Sequence, residues 1–284
     1  MPTASRPAAG DTASGGSASG DSPLTLATLR WPDVEAAPRR LLVVPMGSLE
    51  QHGPHLPLDT DTRIAVAVAV RACAGRVGVG VAPPIAIGAS GEHADFPGTL
   101  SIGTAALTLV LVELGRHASL HWPAMLLVNG HGGNVPAIND ALELLRAEGR
   151  SCQAWHAGVR SAPPADPDAD VAPFALDAHA GRVETSIMLA LAPDDVRLDL
   201  AVRGDTRPLA AIMSELRAHG TRHVSPNGVL GDPAGASAAE GERLLAQLTA
   251  DLDETLTALL TTPEGGRFLL LSGALQAWGG PVWG

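Results

Sequence analysis

The stretch 41-LLVVPMGSLEQHGPHLPLDTDT-62 joins an apolar run to a segment that is crowded with acids and histidines. Its first six residues predict a buried strand, and the run 125-MLLVNG-130 predicts a second one. Apolar strands that alternate with helices are typical of a parallel sheet covered on both faces. The predicted fold class is therefore α/β, a three-layer α/β/α sandwich with a mainly parallel sheet.

Other strand-like and helix-like runs fill the rest of this pattern. Two weaker strands are predicted at 79–87, where two prolines interrupt the run, and at 151–158. Six helices are predicted, at 62–75, 103–122, 134–149, 183–191, 207–220 and 237–262. The segment between the last strand and the fourth helix, 161–181, is rich in Pro and Asp and predicts a long loop that shapes a functional site.

The composition limits the classes of partner and ligand. The net charge is −11, which argues against nucleic acid and against an anionic membrane surface as partners. No run approaches the ~18 apolar residues of a spanning helix. The two cysteines, Cys73 and Cys152, lack CxxC spacing, so we expect both to be reduced. Any metal would then be bound by nitrogen and oxygen.

The chain divides into three parts by composition. Residues 1–24 are mostly Ser, Gly, Ala and Pro and predict a disordered N-terminal tail, since they lack the pattern of a secretory signal. Residues 25–264 predict one domain, and residues 265–284 form an apolar C-terminal tail that docks on the core or on another subunit. We expect a cytoplasmic protein.

Acids and histidines follow both clear strands. Glu50 and His52 come after the first strand, and His131 comes directly after the second. Ligands collect at the carboxyl ends of parallel strands, and residues two apart in an extended segment point the same way. Carboxylate with imidazole is the ligand set of Zn, Mn or Fe(II). Asp61, just before a helix, is either a further ligand or an N-cap.

Three further segments carry candidate chemistry. In 128-VNGHGGN-134 the glycines permit close approach to a ligand or serve an ordinary turn, and a phosphate loop is disfavoured because no GK[ST] follows. In 177-DAHAGRVETS-186, Glu184 is a further ligand or only a first-turn acid, and His179 would protonate a leaving nitrogen. In 88-GASGEHADFPGTLSIG-103, Glu92 and His93 contact substrate or belong to a flexible surface loop.

These elements together resemble the creatininase family. The matching segments are 45-PMGSLEQHGPHLPLDTDT-62, 128-VNGHGGN-134, 178-AHAGRVETS-186 and 227-NGVLGDPAGASAAEG-241. The resemblance implies a creatininase-like domain that hydrolyses a C–N bond with two divalent metal ions per chain, Zn, Fe or Mn. It also implies that Glu50, His52, Asp61 and His131 bind metal, that Asp61 bridges, and that His179 is catalytic. Family members commonly form homo-oligomers.

One position departs from the family pattern. Creatininases proper carry a ligating Glu two residues after the histidine matched by His131, and here that residue is Gly133. One ligand must then come from elsewhere, and we expect Glu184 to supply it. The departure also counts against creatinine as the substrate.

Within the family, 88-GASGEHADFPGTLSIGTAAL-107 and 111-LVELGR-116 are most similar to the branch that matures the mycofactocin precursor peptide. The implied substrate is a ribosomally made peptide whose modified C-terminal Val-Tyr-derived dipeptide is released. Two alternatives stay open: a hydrolase of small cyclic amides of the creatinine or formamide type, and a non-catalytic metal-binding scaffold.

Overall fold

The chain forms a five-stranded sheet in which every pair of neighbouring strands is parallel. The computed structural model describes residues 24–158 and 177–261. Its strands are β1 (Leu24–Thr25), β2 (Leu41–Met46), β3 (Val79–Val81), β4 (Ala124–Asn129) and β5 (Cys152–His156). Their order across the sheet is β1-β3-β2-β4-β5. The prediction of an α/β fold with a parallel sheet is confirmed.

Helices connect these strands as the sequence pattern predicts. They are α1 (Trp31–Ala36), α2 (Thr60–Cys73), α3 (Thr104–Ala118), α4 (Val135–Ala147), α5 (Arg182–Leu191), α6 (Leu209–His219), α7 (Thr221–Val224) and α8 (Ala238–Thr261). All six predicted helices are present, with ends that move by a few residues. The run 79–87 forms a strand only at Val79–Val81, because Pro83 and Pro84 cannot donate hydrogen bonds to a ladder.

Alternate residues of the central strands face opposite layers of helices. In β2, Leu41 and Val43 pack with the cluster formed by α2, α5 and α8. Leu42 and Val44 pack with the cluster formed by α3 and α4. Each fully buried side chain of this size stabilises the fold by about 1.5–3 kcal/mol. This alternation produces the three predicted layers.

The site lies where the direction of the connections reverses. β2 and β4 are neighbours along their whole length, from Leu41 opposite Ala124 to Met46 opposite Asn129. β2 leads into α2 on one face of the sheet, and β4 leads into α4 on the other. A crevice opens outside the carboxyl ends of two such strands, and ligands bind there. The segments after β2 and β4 therefore meet at this edge.

Several predictions fall outside the described residues. These are the tail up to residue 23, the loop 161–181 up to residue 176, and the C-terminal tail 265–284. Leu24, which was predicted to belong to the tail, lies in β1 and pairs with Gly80 of β3. Both cysteines are free, as predicted. Among the described helices, none combines the length and hydropathy needed to cross a bilayer.

Candidate active site

The loop after β2 folds back on the start of α2. A Cβ atom at Gly47 would lie 2.3 Å from the Thr62 amide nitrogen, so only glycine permits this approach. Gly53, with a φ of 64°, turns the chain again. The turns bury Glu50 and His52 completely, each with 0% exposure. Both side chains are thereby directed at the first turn of α2.

The Asp61 carboxylate lies between two imidazoles. Its Oδ1 is 3.1 Å from His52 Nε2, and its Oδ2 is 3.1 Å from His131 Nδ1. Ser48 Oγ donates a 2.8 Å hydrogen bond to Oδ2. The N-cap position of α2 is Asp59 rather than Asp61. Asp61 therefore offers one oxygen to each of the two imidazoles.

The Glu50 carboxylate is fully buried, and its ion-pair partners among the described residues are histidines. Among the described residues, neither of its oxygens has a hydrogen-bond partner. Oε2 lies 3.2 Å from His131 Nε2, while Oε1 lies 3.4 Å from His93 Nε2 and 3.7 Å from His179 Nδ1. A buried charge without hydrogen bonds is costly unless it is paired or binds a metal. This orphaned carboxylate fits a cation.

Backbone carbonyls orient two of the histidines. His52 Nδ1 lies 3.1 Å from the Glu50 carbonyl oxygen, and His131 Nε2 lies 3.0 Å from that of Ala89. A carbonyl oxygen only accepts, so these nitrogens carry the protons. Such outer hydrogen bonds are typical of metal-binding histidines. The opposite nitrogens donate to the Asp61 oxygens in the ion-free protein, where burial is outweighed by the neighbouring acids, which raise the pKa of both rings. A bound metal ion would take the place of those protons.

Glu184 reaches the site from the first turn of α5. Its Oε2 accepts a 2.6 Å hydrogen bond from the Ala180 amide and lies 3.8 Å from His52 Nε2. Ala180 has a φ of 53°, in the left-handed region, and bends the chain between His179 and Glu184. His179 is fixed by paired backbone hydrogen bonds to Leu230. Glu184 thus lies on the His52 side of Asp61.

The predicted site residues form one buried cluster. Ligand atoms within 4.8 Å of one another define three overlapping groups: Glu50 with Asp61 and His131, His52 with His179 and Glu184, and Glu50 with His93 and His179. All six predicted residues are members. The oxygen and nitrogen donors match the set that Zn, Mn or Fe(II) prefers. Together with the orphaned Glu50, this donor set fits the metal ions that the resemblance implies.

The protonation of the cluster also calls for cations. Burial, helped by Asp61 and opposed by His52, raises the pKa of Glu184 to about 7. Burial lowers the pKa of His52, but Asp61 and Glu184 outweigh it and raise that pKa to about 10. Glu184 and His52 therefore retain protons in the ion-free protein. Metal ions bound here would take the place of those protons.

Gln51, which the sequence reasoning did not select, determines the tautomers of two more histidines. The Gln51 Oε1 atom accepts from the Gly53 amide at 2.9 Å, which identifies the other amide atom as nitrogen. This nitrogen donates to His93 Nδ1 at 2.9 Å and to the Gly228 carbonyl at 3.0 Å. His179 Nε2 donates to the Gln51 carbonyl at 2.8 Å. His93 therefore carries its proton on Nε2, and His179 has its lone pair on Nδ1.

His179 is held neutral. Burial lowers its pKa well below the ordinary value, and the neighbouring His52 and His93 lower it further. Its ring centroid lies 4.3 Å from that of His52 and 4.5 Å from that of His93. A neutral imidazole whose Nδ1 faces the carboxylate cluster can accept a proton there and return it.

Glu92 and His93 also reach this cluster, from a short 3-10 turn at Gly91–His93. Glu92 Oε1 lies 3.6 Å from His131 Nε2, and the Glu92 side chain is only 13% exposed. Burial raises the pKa of Glu92 to about 7, with His131 opposing this shift and Glu50 adding to it. These two side chains are therefore not part of an exposed surface loop, which was the alternative to a contact with substrate.

Two acid–base residues of the opening stretch lie outside the cluster. His55 is buried, and its Nε2 lies 2.9 Å from Thr185 Oγ1. Asp59 pairs with Arg63 at 2.8 Å near the surface. Gln51 and Ser48 were missed because amides and hydroxyls are uncommon ligands, although both lie inside the same motif.

Comparisons with known proteins find related proteins that match most of this chain. A family model described as creatinine amidohydrolase matches residues 27–256. A mycofactocin precursor peptide peptidase from Mycolicibacterium smegmatis is 54% identical over 214 residues, which cover 73% of this chain and 81% of the relative. The protein of the same name from Mycobacterium tuberculosis is 46% identical over 234 residues, which cover 79% and 87%.

More distant matches extend to creatininase itself. The creatinine amidohydrolase of Pseudomonas putida is 34% identical over 193 residues, which cover 61% of this chain and 74% of the relative. A crystal structure of creatinine amidohydrolase superposes with a TM-score of 0.70 at 27% identity, covering 85% of this chain and 99% of that chain. Because the family model spans most of the chain, and the fold agrees with it, this chain belongs to the creatininase family.

Proposed function

We propose that this chain is a metal-dependent peptidase of mycofactocin biosynthesis. Its substrate is a ribosomally made precursor peptide, from which it releases the modified C-terminal Val-Tyr-derived dipeptide. The observation that carries the proposal is Asp61, shared by two imidazoles beside the orphaned Glu50 and the neutral His179. Relatives that are 44–54% identical and are named mycofactocin precursor peptide peptidases support the choice of substrate.

Two divalent metal ions of the Zn, Fe or Mn class fit the donors. Glu50, Asp61 and His131 would hold one ion, and His52, Asp61 and Glu184 the other. When bound, such ions lower the pKa of a water molecule and polarise the scissile carbonyl group. Asp61 is common to both sets, because one of its oxygens lies beside His52 and the other lies beside His131.

The protein's own groups then move the proton. His179 accepts a proton from the attacking water at Nδ1, because its Nε2 already donates to the Gln51 carbonyl. A C–O bond forms as the amide C–N bond breaks. The His179 imidazolium returns the proton from Nδ1 to the leaving nitrogen. Gln51 keeps the ring in this tautomer throughout.

Cleavage of the modified precursor peptide by the metal-loaded protein tests the proposal. We expect release of the dipeptide product, and a His179→Ala variant that retains both ions but loses about 10²–10⁴-fold in turnover. His121→Ala, at an exposed position, is the matched control and should behave as wild type. Normal turnover by His179→Ala would contradict the assigned role.

The same assay separates the two alternatives. Faster hydrolysis of creatinine or of a formamide than of the peptide would indicate a small-amide hydrolase. Bound metal with no hydrolysis of any of these compounds would indicate a metal-binding scaffold. Absence of bound metal after reconstitution with Zn²⁺, Mn²⁺ or Fe²⁺ would contradict the proposal as a whole.

Assembly and location stay predictions. We infer a homo-oligomer, and the exposed apolar side chains of α3, Leu109 at 66% and Val110 at 45%, support a subunit contact on that helix. Light scattering of the purified protein measures the assembly directly. The cytoplasmic location is a matter for cell fractionation.

A further inference from the structure

Glycine at position 133 is required by what surrounds it. A Cβ atom added there would lie 2.3 Å from the Ala89 carbonyl oxygen, 2.4 Å from His131 Nε2 and 2.5 Å from Glu92 Oε1. Contacts this short force a displacement. The space in which a side chain of residue 133 would begin is therefore occupied by the backbone of another loop and by the carboxylate of Glu92.

The loop that carries Glu92 is attached firmly to the segment after β4. The Ala89 amide donates to Asn134 Oδ1 at 2.9 Å, and the Ala89 carbonyl accepts from His131 Nε2 at 3.0 Å. Ser90 Oγ lies 3.3 Å from the same His131 nitrogen. These contacts fix the residues that directly precede Glu92 in the chain. Its position beside His131 is thus a property of the packed loop and not of one free side chain.

The charge around His131 is out of balance. Glu92 Oε1 and Glu50 Oε2 lie 3.6 Å and 3.2 Å from His131 Nε2, and Asp61 Oδ2 lies 3.1 Å from its Nδ1. In the described part of the chain, the ion-pair partners of these three carboxylates are histidines. Among the described residues, His131 is the one histidine that faces all three acids, so a cation bound on this side of the cluster would complete the neutralisation of their charge.

We propose that Glu92 is a further carboxylate of the metal centre, and that it supplies on the Glu50–His131 side the oxygen that position 133 cannot supply. This inference rests on the proposed function, since it requires metal ions at the cluster. It assigns Glu92 to one side of Asp61 and leaves Glu184 on the other, beside His52. The departure at Gly133 then has two compensating residues instead of one.

Metal titration of the Glu92→Gln variant tests the inference. We expect competition with a chelator to show that one of the two ions is bound about 10–100-fold more weakly than in wild type. The visible spectrum of the Co²⁺-loaded protein should change as well. Glu184→Gln should weaken the other ion. Glu113→Gln, on an exposed side chain of α3, is the control and should weaken neither.

A second variant displaces the same carboxylate by a substitution at the glycine. Gly133→Ala places a methyl group against Glu92 and should weaken the same ion. If the two changes act through one carboxylate, the double variant loses no more affinity than the worse single one. Thermal unfolding of each variant shows whether the fold is retained.

The outcomes separate this inference from the function on which it rests. Two ions in wild type, bound with unchanged affinity and an unchanged Co²⁺ spectrum in Glu92→Gln, overturn the inference and leave the function standing. Losses that add fully in the double variant also overturn it. A wild-type chain that binds no ion overturns the proposed function and the inference with it.

Discussion

The two central strands end in very different segments. After β2, residues 47–59 form a long loop that carries Glu50 and His52 and leads directly to Asp61. After β4, residues 130–134 are short and mostly glycine, with His131 as the one ionisable side chain. The segment after β2 contributes several candidate ligands. The segment after β4 contributes one, and its glycines leave space for another loop.

This difference shows two ways of building one site. The glycines after β4 admit the loop 88–93, which brings Glu92 and His93 against His131 and Glu50. Asn134 ties the pieces together, because it donates to the Gly47 carbonyl at 3.0 Å and accepts from the Ala89 amide at 2.9 Å. A glycine-rich segment can therefore matter for what it allows to approach.

The largest expected effect is at the residue that joins both segments. Asp61→Asn removes the charge shared by His52 and His131, so we expect loss of both ions and a loss of activity beyond the ~10–100-fold of an outer residue. Elemental analysis beside the peptide assay measures this. Retention of one ion would show that the segments after β2 and β4 bind their ions independently.

A smaller effect is expected at Gln51, which links the long loop to His93 and His179. Gln51→Met removes the donor to His93 Nδ1 without adding charge, and we expect turnover to fall by about 10–100-fold while both ions remain. Nitrogen-15 NMR of the histidine rings should show that His93 no longer adopts a single tautomer. Unchanged ring signals would contradict this positioning role.

The ion-free protein should lose stability as the pH rises. The pKa of Glu184 is raised to about 7 in the fold from an ordinary value of 4.5. The folded state therefore holds this proton more tightly than the unfolded chain, and the resulting stability is lost as the pH rises through that value. His52, with its pKa raised to about 10, acts in the same direction.

Thermal unfolding between about pH 7 and 8.5 checks that sign, because His55, whose pKa is lowered to about 4 in the fold, is then mostly neutral in both the folded and the unfolded state. We expect the midpoint to fall with rising pH, and to fall less in Glu184→Gln. A midpoint that rises over this interval would show that Glu184 does not hold a proton in the ion-free state.

The smallest effect is expected at Asp59, two residues from Asp61. Its partner is Arg63, in a partly exposed ion pair at 2.8 Å. Asp59→Ala should therefore change the free energy of unfolding by less than ~1 kcal/mol and leave metal content and turnover as in wild type. Loss of an ion in this variant would show that the whole acidic run, and not only Asp61, belongs to the centre.

Much of the fold was predictable because its signals are local. The apolar runs of β2 and β4 and the periodic runs of α2 to α6 and α8 appear where the patterns indicate. The run 79–87 was predicted too long, since two prolines end the ladder after Val81. The grouping of Glu50, His52 and Asp61 was also predictable, because a strand end and a helix start bring neighbours in sequence together.

The sequence by itself determined the parallel sheet, the edge at which the site lies and the family of the chain. Only the tertiary structure decided that Gln51 sets two tautomers and that Glu92 occupies the space beside Gly133. Periodicity and strand ends are read within a short window. Contacts between residues that are tens of positions apart depend instead on how the loops pack against one another.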